Sequence, residues 1–491
     1  MAEPAFDPVA MLARLGRAPR RITSDSRQVG AGDAFAAWPG TRVDGRAYIP
    51  DAIARGAGAV LWESQGFRWN DGWAVPNAGV ERLAAKLGYV ADVVYGHPSR
   101  DLWMVGVTGT NGKTTTSQWI AQALDDAGRR CGVIGTLGIG LAGALEPTAN
   151  TTPDAAVFHE TLARFRDEGA KAISMEVSSI GLDQGRVNGT TFDVAVFTNL
   201  TRDHLDYHGS MAAYGDAKAK LFSWPGLACS VINADDPYGQ RLIDEVRGRG
   251  GRAMSYGVAN AEVAATSVAM GPRGLSLGVA TPWGPGEVDT GVVGAFNVSN
   301  LLATLGALLA SDVGLERALD ALSRAAPPPG RMERHGGGGM SPLVVIDYAH
   351  TPDALEKVLV AMRPAVADGR ELVCVFGCGG DRDPGKRPVM GRVAAQLADR
   401  VVVTTDNPRF EDPAAIAGAV AKGIVETGQR RWLLELDRAA AIAAAVHAAK
   451  PGDVVVVAGK GHETYQEVAG ERRPFSDARV VDEALAGRSP A

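Results

Sequence analysis

One glycine-rich stretch combines residue types that bind phosphate. Residues 106–116 read GVTGTNGKTTT, after the apolar run LWMVGV and before the helical pattern TTTSQWIAQALDDAG. A strand, a glycine turn and a helix N-terminus form an anion site, because backbone N–H groups and the helix dipole point at the ligand. Lys113 would reach the outer phosphates, and the Thr114 hydroxyl would bind magnesium. The general pattern asks for glycine where this chain has Val107, so the loop alone does not define a nucleotide site.

Two further polar segments follow predicted strands. Glu176 ends the run AISMEV, and His204 follows the run VAVFTN within NLTRDHLDYHGS. An open α/β sheet places ligands outside the carboxyl ends of its strands. Glu176, His204 and Thr114 are therefore expected to converge on magnesium. The structural alternative is that Asp203 and His204 cap a helix while Glu176 pairs with an arginine.

Composition and charge limit the possible functions. A chain of 491 residues is long enough for two to four domains. Hydrophobic residues make up 46% and charged residues 22%, as in an ordinary soluble globular protein. The formal charge of −6 gives no support for nucleic-acid binding. Anionic substrates must therefore be held by local arginines and lysines.

Cysteine usage and hydropathy suggest a cytoplasmic protein. The four cysteines lack CxxC spacing, which predicts reduced thiols. They are Cys131, Cys229, Cys374 and Cys378. The N-terminal stretch has no apolar core of the kind found in signal peptides. No uninterrupted run of about 20 apolar residues is present, so no membrane-spanning segment is predicted. The segment AAAIAAAVHAAK is predicted to be a packed helix.

Apolar strand-like runs alternate with helical patterns from Leu102 onward, which predicts parallel sheets covered by helices. The runs are LWMVGV, AISMEV, VAVFTN and SVIN, and later LVVID, ELVCVFG, RVVVTT, WLLEL and DVVVVAG. The polar segment GHPSRD and the prolines of AAPPPGR mark two boundaries. The predicted fold is α/β, with domains at 1–98, 99–329 and 330–491.

Six motifs in a fixed order resemble those of the Mur ligases. They are TGTNGKTTT, EVSSIGL, TNLTRDHLDYHG, GAFNVSN, DYAHTPDAL and GKGHETY, and the resemblance covers essentially the whole chain. This family builds the peptide of bacterial cell-wall precursors at the expense of ATP, and it uses TGTNGKT in place of the general loop spacing. The resemblance implies an N-terminal domain for the uridine nucleotide, a central P-loop ATPase and a C-terminal Rossmann-like domain for the amino acid.

The resemblance also implies the reaction. A carboxylate is a poor electrophile, so ATP converts it to an acyl phosphate, which the amine of the next amino acid attacks. Phosphoryl transfer depends mainly on positioning and charge neutralisation. The implied catalytic residues are Lys113, Lys218, His204 and Arg331. The implied ATP-binding residues are Gly109, Thr110, Asn111, Gly112, Lys113, Thr114, Thr115, Asn297, Asn300, Arg331 and Asp347.

The implied magnesium ligands are Thr114, Glu176, His204 and Lys218, the last as a carbamate (N6-carboxylysine). A bare ammonium would repel the ion, whereas a carbamate is an anionic oxygen ligand, and its formation needs a lysine of lowered pKa. Composition alone favours a solvated AKAK helix face. The resemblance reverses that preference and selects Lys218 rather than Lys220.

For the uridine-linked substrate, the matching positions are Ser26, Thr151, Thr152, Ser178, Gln184 and Arg186. Ile180 stands where the family often has histidine. The amino-acid site is implied by TTDNPRFEDP, because members with DNPR add meso-diaminopimelate and lysine-adding members have a different tetrad. Its residues are Arg382, Asp406, Asn407, Pro408, Arg409, Gly459 and Glu463. Without the family, DNPR would be interpreted as a turn before a helix.

Diaminopimelate is lysine with one extra carboxylate, which Arg409 can bind through two parallel hydrogen bonds. A buried arginine left unpaired by lysine would be costly, so lysine is rejected. The expected function is ATP-dependent ligation of meso-diaminopimelate to UDP-N-acetylmuramoyl-L-alanyl-D-glutamate by a monomer. The alternatives are a lysine-adding member, a D-Ala-D-Ala-adding member or a folylpolyglutamate synthetase. A P-loop switch or a structural protein would leave most of the motifs unexplained.

Overall fold

The computed structural model describes residues 6–16, 19–40, 43–141, 144–148, 150–271 and 274–487. The chain divides into two compact units. The first comprises Met1–Val263 with Ala303–Ala318, and the second comprises Ala264–Leu302 with Leu319–Ala491. Helices and strands alternate in both, which confirms the predicted α/β class.

The first unit begins with a four-stranded parallel sheet in the order β1-β2-β3-β4. Leu83, Leu87 and Val90 pack on one face of this sheet as one stripe of α3, as expected for an amphipathic helix. The strands are β1 (Ile22–Thr23), β2 (Ala34–Ala37), β3 (Ala59–Glu63) and β4 (Asn77–Val80), and the helices are α1 (Pro8–Ala13), α2 (Ile49–Ala54) and α3 (Leu83–Val94).

A larger sheet follows in the same unit, and its buried strands pack between helices. Its strands are β5 (Trp103–Thr108), β6 (Cys131–Gly135), β7 (Gly138–Leu141), β8 (Ala144–Glu146), β9 (Ala172–Glu176), β10 (Val194–Phe197), β11 (Cys229–Asn233) and β12 (Ala253–Gly257). The helices are α4 (Lys113–Asp126), α5 (Ala155–Asp167), α6 (Ser179–Asp183), α7 (Leu205–His208), α8 (Met211–Ala219) and α9 (Pro237–Gly248).

Strand β5 lies in the middle of this sheet, between β9 and β10, and the order is β12-β11-β10-β5-β9-β6-β7-β8. The pairs from β12 to β6 are parallel, whereas β7 and β8 are antiparallel. Val107 pairs with Glu176, and Thr108 pairs with Phe197. The loops after β5, β9 and β10 therefore leave the sheet at one edge, as the sequence predicted.

The second unit contains an antiparallel run of three strands and a separate six-stranded sheet. The run consists of β13 (Val263–Gly271), β14 (Gly274–Thr281) and β15 (Gly284–Thr290). Helices α10 (Phe296–Ala310) and α11 (Leu315–Ser323) lie where the chain passes from one unit to the other.

The six-stranded sheet has the order β16-β17-β21-β18-β19-β20 and is parallel except for β16. Its strands are β16 (Glu333–Gly336), β17 (Leu343–Asp347), β18 (Leu372–Phe376), β19 (Arg400–Val403), β20 (Trp432–Leu434) and β21 (Val454–Ala458). The helices are α12 (Pro352–Met362), α13 (Lys386–Leu397), α14 (Pro413–Val425), α15 (Arg438–Ala448) and α16 (Asp477–Ala486). Strands β22 (Tyr465–Val468) and β23 (Glu471–Pro474) form a hairpin.

The buried strands of this sheet carry apolar side chains on both faces, because helices cover each side. Val345 and Phe376 belong to one core, and Val344 and Val375 to the other. The segment AAAIAAAVHAAK contributes to α15, so the predicted packed helix is confirmed. All four cysteines are buried and free. No helix in the described ranges is long and apolar enough to span a bilayer.

Candidate active site

The loop after β5 has the backbone shape that its glycines allow. Gly109 has φ +148°, and a Cβ there would lie 1.9 Å from Thr198 Oγ1. Gly112 has φ +85° and directly precedes α4. Only glycine adopts both conformations without strain. The side chain of Thr198 donates to Asn111 O at 2.6 Å and secures the loop to the neighbouring strand end.

Two lysine side chains reach one carbonyl of this loop. Lys113 Nζ donates to Gly109 O at 2.9 Å and to Thr110 O at 2.8 Å. Lys218 Nζ donates to Gly109 O at 2.8 Å. Lys113 thus brings a cationic side chain to a glycine-rich turn in a chain that is acidic as a whole.

Glu176 ends β9 inside a group of hydroxyl and amide donors. Thr114 Oγ1 donates to its Oε2 at 3.0 Å, Thr136 Oγ1 to the same oxygen at 3.1 Å, and Thr136 N to Oε1 at 2.7 Å. Glu176 is buried, and its described side-chain partners are these threonine groups, so the alternative that it pairs with an arginine is wrong. Thr136 was not predicted, because it follows β6 and the run CGVIG was not among the predicted strands.

His204 immediately precedes α7 with φ +52°, and its side chain makes no capping bond. The helix-cap alternative is therefore wrong for this side chain. Burial lowers the pKa of His204, opposed by Asp203, whose Oδ2 lies 3.5 Å from His204 Nε2. A neutral imidazole is the form that binds a metal ion. The ring centroid of Tyr214 lies 6.1 Å from that of His204.

Lys218 and Lys220 occupy different environments although they are two residues apart. Lys218 is 1% exposed, and burial lowers its pKa well below the ordinary value, with Lys113 acting in the same direction. Its Nζ lies 4.4 Å from the ring centroid of Tyr214. Lys220 is exposed and pairs with Asp183 at 2.7 Å. The solvated-face explanation therefore fits Lys220 and is wrong for Lys218.

The donors near the loop fit magnesium bound together with a nucleotide. Among the described residues, no three His, Cys, Asp or Glu side chains cluster as a metal cage. Magnesium usually takes one or two carboxylates plus phosphate oxygens and water, so the buried carboxylate of Glu176 beside the hydroxyl of Thr114 suits it. His204 and Lys218 stay predicted ligands.

Four of the six residues predicted to bind the uridine-linked substrate are hydrogen-bonded in one chain, and Thr151 is linked to it through Thr136 and Glu176. Thr151 Oγ1 lies 3.1 Å from Thr136 Oγ1, and Thr152 Oγ1 lies 3.0 Å from Ser178 Oγ. Arg186 Nη1 donates to Thr152 O at 2.7 Å, and its Nε donates to Gln184 Oε1 at 3.0 Å. These bonds place the polar groups in fixed orientations next to β9.

The sixth residue, Ser26, lies in a short 3-10 segment and makes no described contact with that chain. Burial raises the pKa of Asp154, a residue of the NTTPD segment that contains Thr151 and Thr152, and Arg186 opposes that shift. Two residues away from Ser26, Ser24 slightly lowers the same pKa. Ile180 lies half-buried in α6, and His208 Nε2 pairs with Ser179 Oγ at 3.0 Å.

In the second unit, Arg331 and Asp347 lie close together. Asp347 accepts from Met332 N at 2.9 Å and Ala349 N at 2.8 Å. Burial raises the pKa of Asp347, opposed first by Arg331, whose guanidinium lies 4.6 Å from the ring centroid of Tyr348. Asn297 and Asn300 are a separate buried pair on α10, joined by a 2.9 Å bond from Asn300 Nδ2 to Asn297 Oδ1.

The DNPR segment follows β19, and backbone bonds fix its arginine. Arg409 has φ +51°, donates from N to Glu467 O at 3.0 Å and accepts from Ala469 N at 2.6 Å. Its Nη1 donates to Gly380 O at 2.7 Å. The DNPR segment is therefore a turn, as its sequence alone indicated. A turn that orients the Arg409 guanidinium is also compatible with the predicted amino-acid site.

Asn407 and Glu463 are brought together as predicted. Asn407 Nδ2 donates to Glu463 Oε2 at 2.7 Å. Gly459 has φ +118°, and a Cβ there would lie 2.5 Å from Asp406 Oδ2. The buried Lys460, which had not been singled out within GKGHE, contacts both Asn407 and Glu463.

Arg382 is exposed, and its Nη1 donates to Asp381 O at 3.3 Å. Its loop runs beside the DNPR segment, because Gly380 N donates to Asn407 O at 2.9 Å. A Cβ at Gly380 would lie 2.0 Å from Pro408 O, so the close approach requires glycine. The described bonds link these loops but do not join Arg382 to Arg409.

Three family models match successive parts of the chain. The model described as Mur ligase family, catalytic domain, matches residues 20–94, the Mur ligase middle domain matches 107–308, and the Mur ligase glutamate ligase domain matches 330–461. The chain belongs to the Mur ligase family of ATP-dependent amide-bond-forming enzymes. The predicted three-domain architecture is confirmed, while the two domain boundaries stay predictions.

Individual relatives point to one branch of the family. The UDP-N-acetylmuramoyl-L-alanyl-D-glutamate--2,6-diaminopimelate ligase of Chromobacterium violaceum is 52% identical over 99% of this chain and 97% of its own. A solved structure of an enzyme with that name has 36% identity and a TM-score of 0.69, covering 95% of each chain. The Thermotoga maritima MurF ligase in complex with ADP has a TM-score of 0.66 at 18% identity, covering 96% and 99%, and so shows the fold alone.

Proposed function

We propose that this chain ligates meso-diaminopimelate to UDP-N-acetylmuramoyl-L-alanyl-D-glutamate at the expense of ATP, giving the UDP-linked tripeptide, ADP and phosphate. The single observation that carries the choice of amino acid is Arg409 in the DNPR turn, whose backbone bonds to the hairpin and Nη1 contact with Gly380 O hold its guanidinium in place. The relatives named UDP-N-acetylmuramoyl-L-alanyl-D-glutamate--2,6-diaminopimelate ligase support this choice of amino acid. A lysine-adding member, a D-Ala-D-Ala-adding member and a folylpolyglutamate synthetase are not favoured.

In the first step, a carboxylate oxygen of the D-glutamate side chain attacks the γ-phosphorus of ATP. The bond from phosphorus to the β,γ-bridging oxygen breaks, and ADP leaves with its electron pair. Lys113 and Arg331 neutralise charge on the transferred group. Thr110, Asn111, Gly112 and Thr115 complete the phosphate loop, and Asn297, Asn300 and Asp347 are proposed for the nucleoside.

Magnesium would be held by Glu176, Thr114, His204 and the Lys218 carbamate, and when bound it supplies charge neutralisation at the phosphates. The low pKa and burial of Lys218 support carbamate formation, because the neutral amine is the form that attacks carbon dioxide. The proton released on attack leaves with solvent, and the product is one anionic carboxylate on Nζ.

In the second step, the amino group of the amino acid attacks the acyl carbon. The tetrahedral intermediate collapses, the carbon–oxygen bond to phosphate breaks, and the amine loses a proton. The amino-acid residues proposed here are those of DNPR with Arg382, Gly459 and Glu463. Arg409 binds one carboxylate of diaminopimelate through two parallel hydrogen bonds, and the competing substrate L-lysine has no carboxylate there. Arg382 binds another carboxylate of the substrate. Glu463 faces a substrate ammonium.

The uridine-linked substrate is proposed to bind Thr151, Thr152, Ser178, Gln184 and Arg186, together with Ser26. The hydrogen bonds that join Thr152, Ser178, Gln184 and Arg186 support this assignment, because side chains already oriented by one another lose little freedom on binding. The cytoplasmic location is supported by substrates that are nucleotides, and we also propose that the enzyme is a monomer.

The test is product identification. The chain is incubated with the UDP-linked dipeptide, ATP, magnesium and meso-diaminopimelate, and the nucleotide product is analysed by mass spectrometry. The expected product has gained one diaminopimelate residue, with one ADP formed per product. Consumption of ATP without a nucleotide-linked tripeptide would contradict the proposal.

A further inference from the structure

We propose that Lys460 is a positioning residue for amino-acid binding, which holds Asn407 and Glu463 in the orientations that the substrate needs. This inference rests on the proposed function, because it concerns the same amino-acid site. Lys460 is completely buried, so its ammonium group has no water to solvate it. A buried ammonium requires hydrogen-bond acceptors within the protein.

The described acceptors of Lys460 are two residues of the proposed substrate site. Its Nζ donates to Asn407 Oδ1 at 2.9 Å and to Glu463 Oε2 at 2.7 Å. Asn407 Nδ2 donates to the same Glu463 oxygen at 2.7 Å. Ammonium, amide and carboxylate thus form a closed triangle of three hydrogen bonds.

The triangle fixes which way the Asn407 amide points. An ammonium only donates hydrogen bonds, so Asn407 must present its oxygen to Lys460 and its nitrogen to Glu463. The backbone N of Glu467, in the hairpin, donates to the same Asn407 oxygen at 2.9 Å. An apolar side chain at position 460 would remove the hydrogen bond from the ammonium to Asn407 Oδ1 and leave only the bond from Glu467 N.

The triangle also leaves one carboxylate oxygen of Glu463 for the substrate. Oε2 accepts two hydrogen bonds, whereas Oε1 accepts none from the part of the chain that the structure describes. The Glu463 side chain is 17% exposed, so Oε1 is the oxygen left for a substrate ammonium. Lys460 therefore acts through Glu463 and Asn407, without touching the substrate.

The local backbone supports a specific role for the lysine. Lys460 lies between Gly459 with φ +118° and Gly461 with φ +52°, in a turn directly after β21. A Cβ at Gly461 would lie 2.9 Å from the Cβ of Tyr348. From this turn the Lys460 ammonium points at the two polar groups of the site.

The test is a double-mutant cycle with Lys460→Met, Glu463→Gln and the double variant, with Lys422→Met on the exposed face of α14 as the matched control. The measurements are KM for diaminopimelate, KM for ATP, kcat, and the yield of acyl phosphate trapped by borohydride without amino acid. We expect Lys460→Met to raise KM for diaminopimelate about tenfold or more. KM for ATP and the acyl-phosphate yield stay unchanged.

Because part of the effect of Lys460 passes through Glu463, the rise in KM for diaminopimelate in the double variant should be smaller than the product of the two single rises. Additive effects, an unchanged KM for diaminopimelate, or equal rises in both KM values would overturn the inference. If Lys460→Met does not fold, Lys460→Gln replaces it in the experiment, because glutamine keeps a hydrogen-bond donor toward Asn407. The KM of Lys460→Gln for diaminopimelate should lie between those of the wild type and Glu463→Gln. A wild-type chain that traps acyl phosphate but makes no product with diaminopimelate would instead refute the proposed function.

Discussion

The Nζ atom of Lys218 lies 2.8 Å from the carbonyl oxygen of Gly109, although 109 residues separate them in the sequence. The lysine comes from α8 and the glycine from the phosphate loop. The contact therefore places a buried amine of lowered pKa at the site proposed for the nucleotide phosphates. Lys220, two residues further, faces solvent and provides the matched control.

Replacing Lys218 with methionine should reduce ADP release about 10²-fold or more, because it removes the proposed anionic metal ligand. Lys220→Met should leave ADP release within about twofold, since exposed ion pairs contribute little. Steady-state ADP assays on both variants provide the comparison. Intact-protein mass spectrometry after labelled bicarbonate should detect carbon dioxide on the wild type but not on Lys218→Met. Equal losses in both variants would argue against a special role for Lys218.

Changing Glu176 to glutamine should weaken the apparent magnesium affinity about 10- to 100-fold. The amide NH₂ group would replace one of the two carboxylate oxygens. It would then face either Thr114 Oγ1 or Thr136 N, which would lose its acceptor. Magnesium titration of ADP release at saturating ATP measures the effect. If the magnesium midpoint does not move, Glu176 serves only the structure of the loop.

Arg409→Lys should raise KM for diaminopimelate about 10- to 10²-fold, because a point charge cannot reproduce two parallel hydrogen bonds to a carboxylate. Arg392→Lys, in a pair with Glu426 on the surface of α13, serves as the control and should change nothing measurable. The two variants are compared by steady-state kinetics with diaminopimelate and with L-lysine. A variant that discriminates between the two amino acids as strongly as the wild type would contradict the role of Arg409.

His335 predicts a pH-dependent contribution to stability. Its Nδ1 lies 2.7 Å from Asp482 Oδ1 and its Nε2 3.3 Å from Glu333 Oε1, and Glu333 and Asp482 raise the pKa of His335. A raised folded-state pKa stabilises the fold fully below the ordinary value of about 6.5, and this contribution is lost as pH rises through the folded-state pKa.

His335→Gln should therefore unfold at a lower temperature than the wild type at about pH 6, and this difference should shrink by roughly 2 °C or more at about pH 9. His447→Gln is the control, because His447 Nε2 pairs with the Ala484 carbonyl and not with a carboxylate. Thermal unfolding by calorimetry on the three proteins measures the effect. Equal differences at both pH values would show that His335 is not charged in the fold.

Glu176 shows how far the sequence alone leads. Its position at the end of a predicted strand was enough to place it beside the phosphate loop, because parallel strands end at one edge. Its partner Thr114 was expected there, whereas Thr136 was not, since Thr136 follows a strand that was not predicted and no motif marks it. The residues proposed for the uridine-linked substrate were matched by motif, but their mutual bonds depend on tertiary packing.

The buried position of Arg438 could not be predicted from the sequence. It begins the alanine-rich helix α15 and forms a fully buried pair with Asp477 at 2.7 Å, while also donating to Thr405 O at 3.1 Å. A lone arginine before an alanine run normally indicates a solvated helix start. Only the fold brings it beneath the DNPR segment, next to the carboxyl ends of β19 and β21, where Nη2 donates to Ala458 O.

The most direct test of the central claim is ADP release measured in parallel with meso-diaminopimelate and with L-lysine. Each reaction contains UDP-N-acetylmuramoyl-L-alanyl-D-glutamate, ATP and magnesium at equal concentrations. We predict turnover with diaminopimelate and at most about one hundredth of that rate with lysine. Equal or faster turnover with lysine would contradict the role assigned to Arg409, and no amino-acid-dependent ADP with either would contradict the ligase reaction itself.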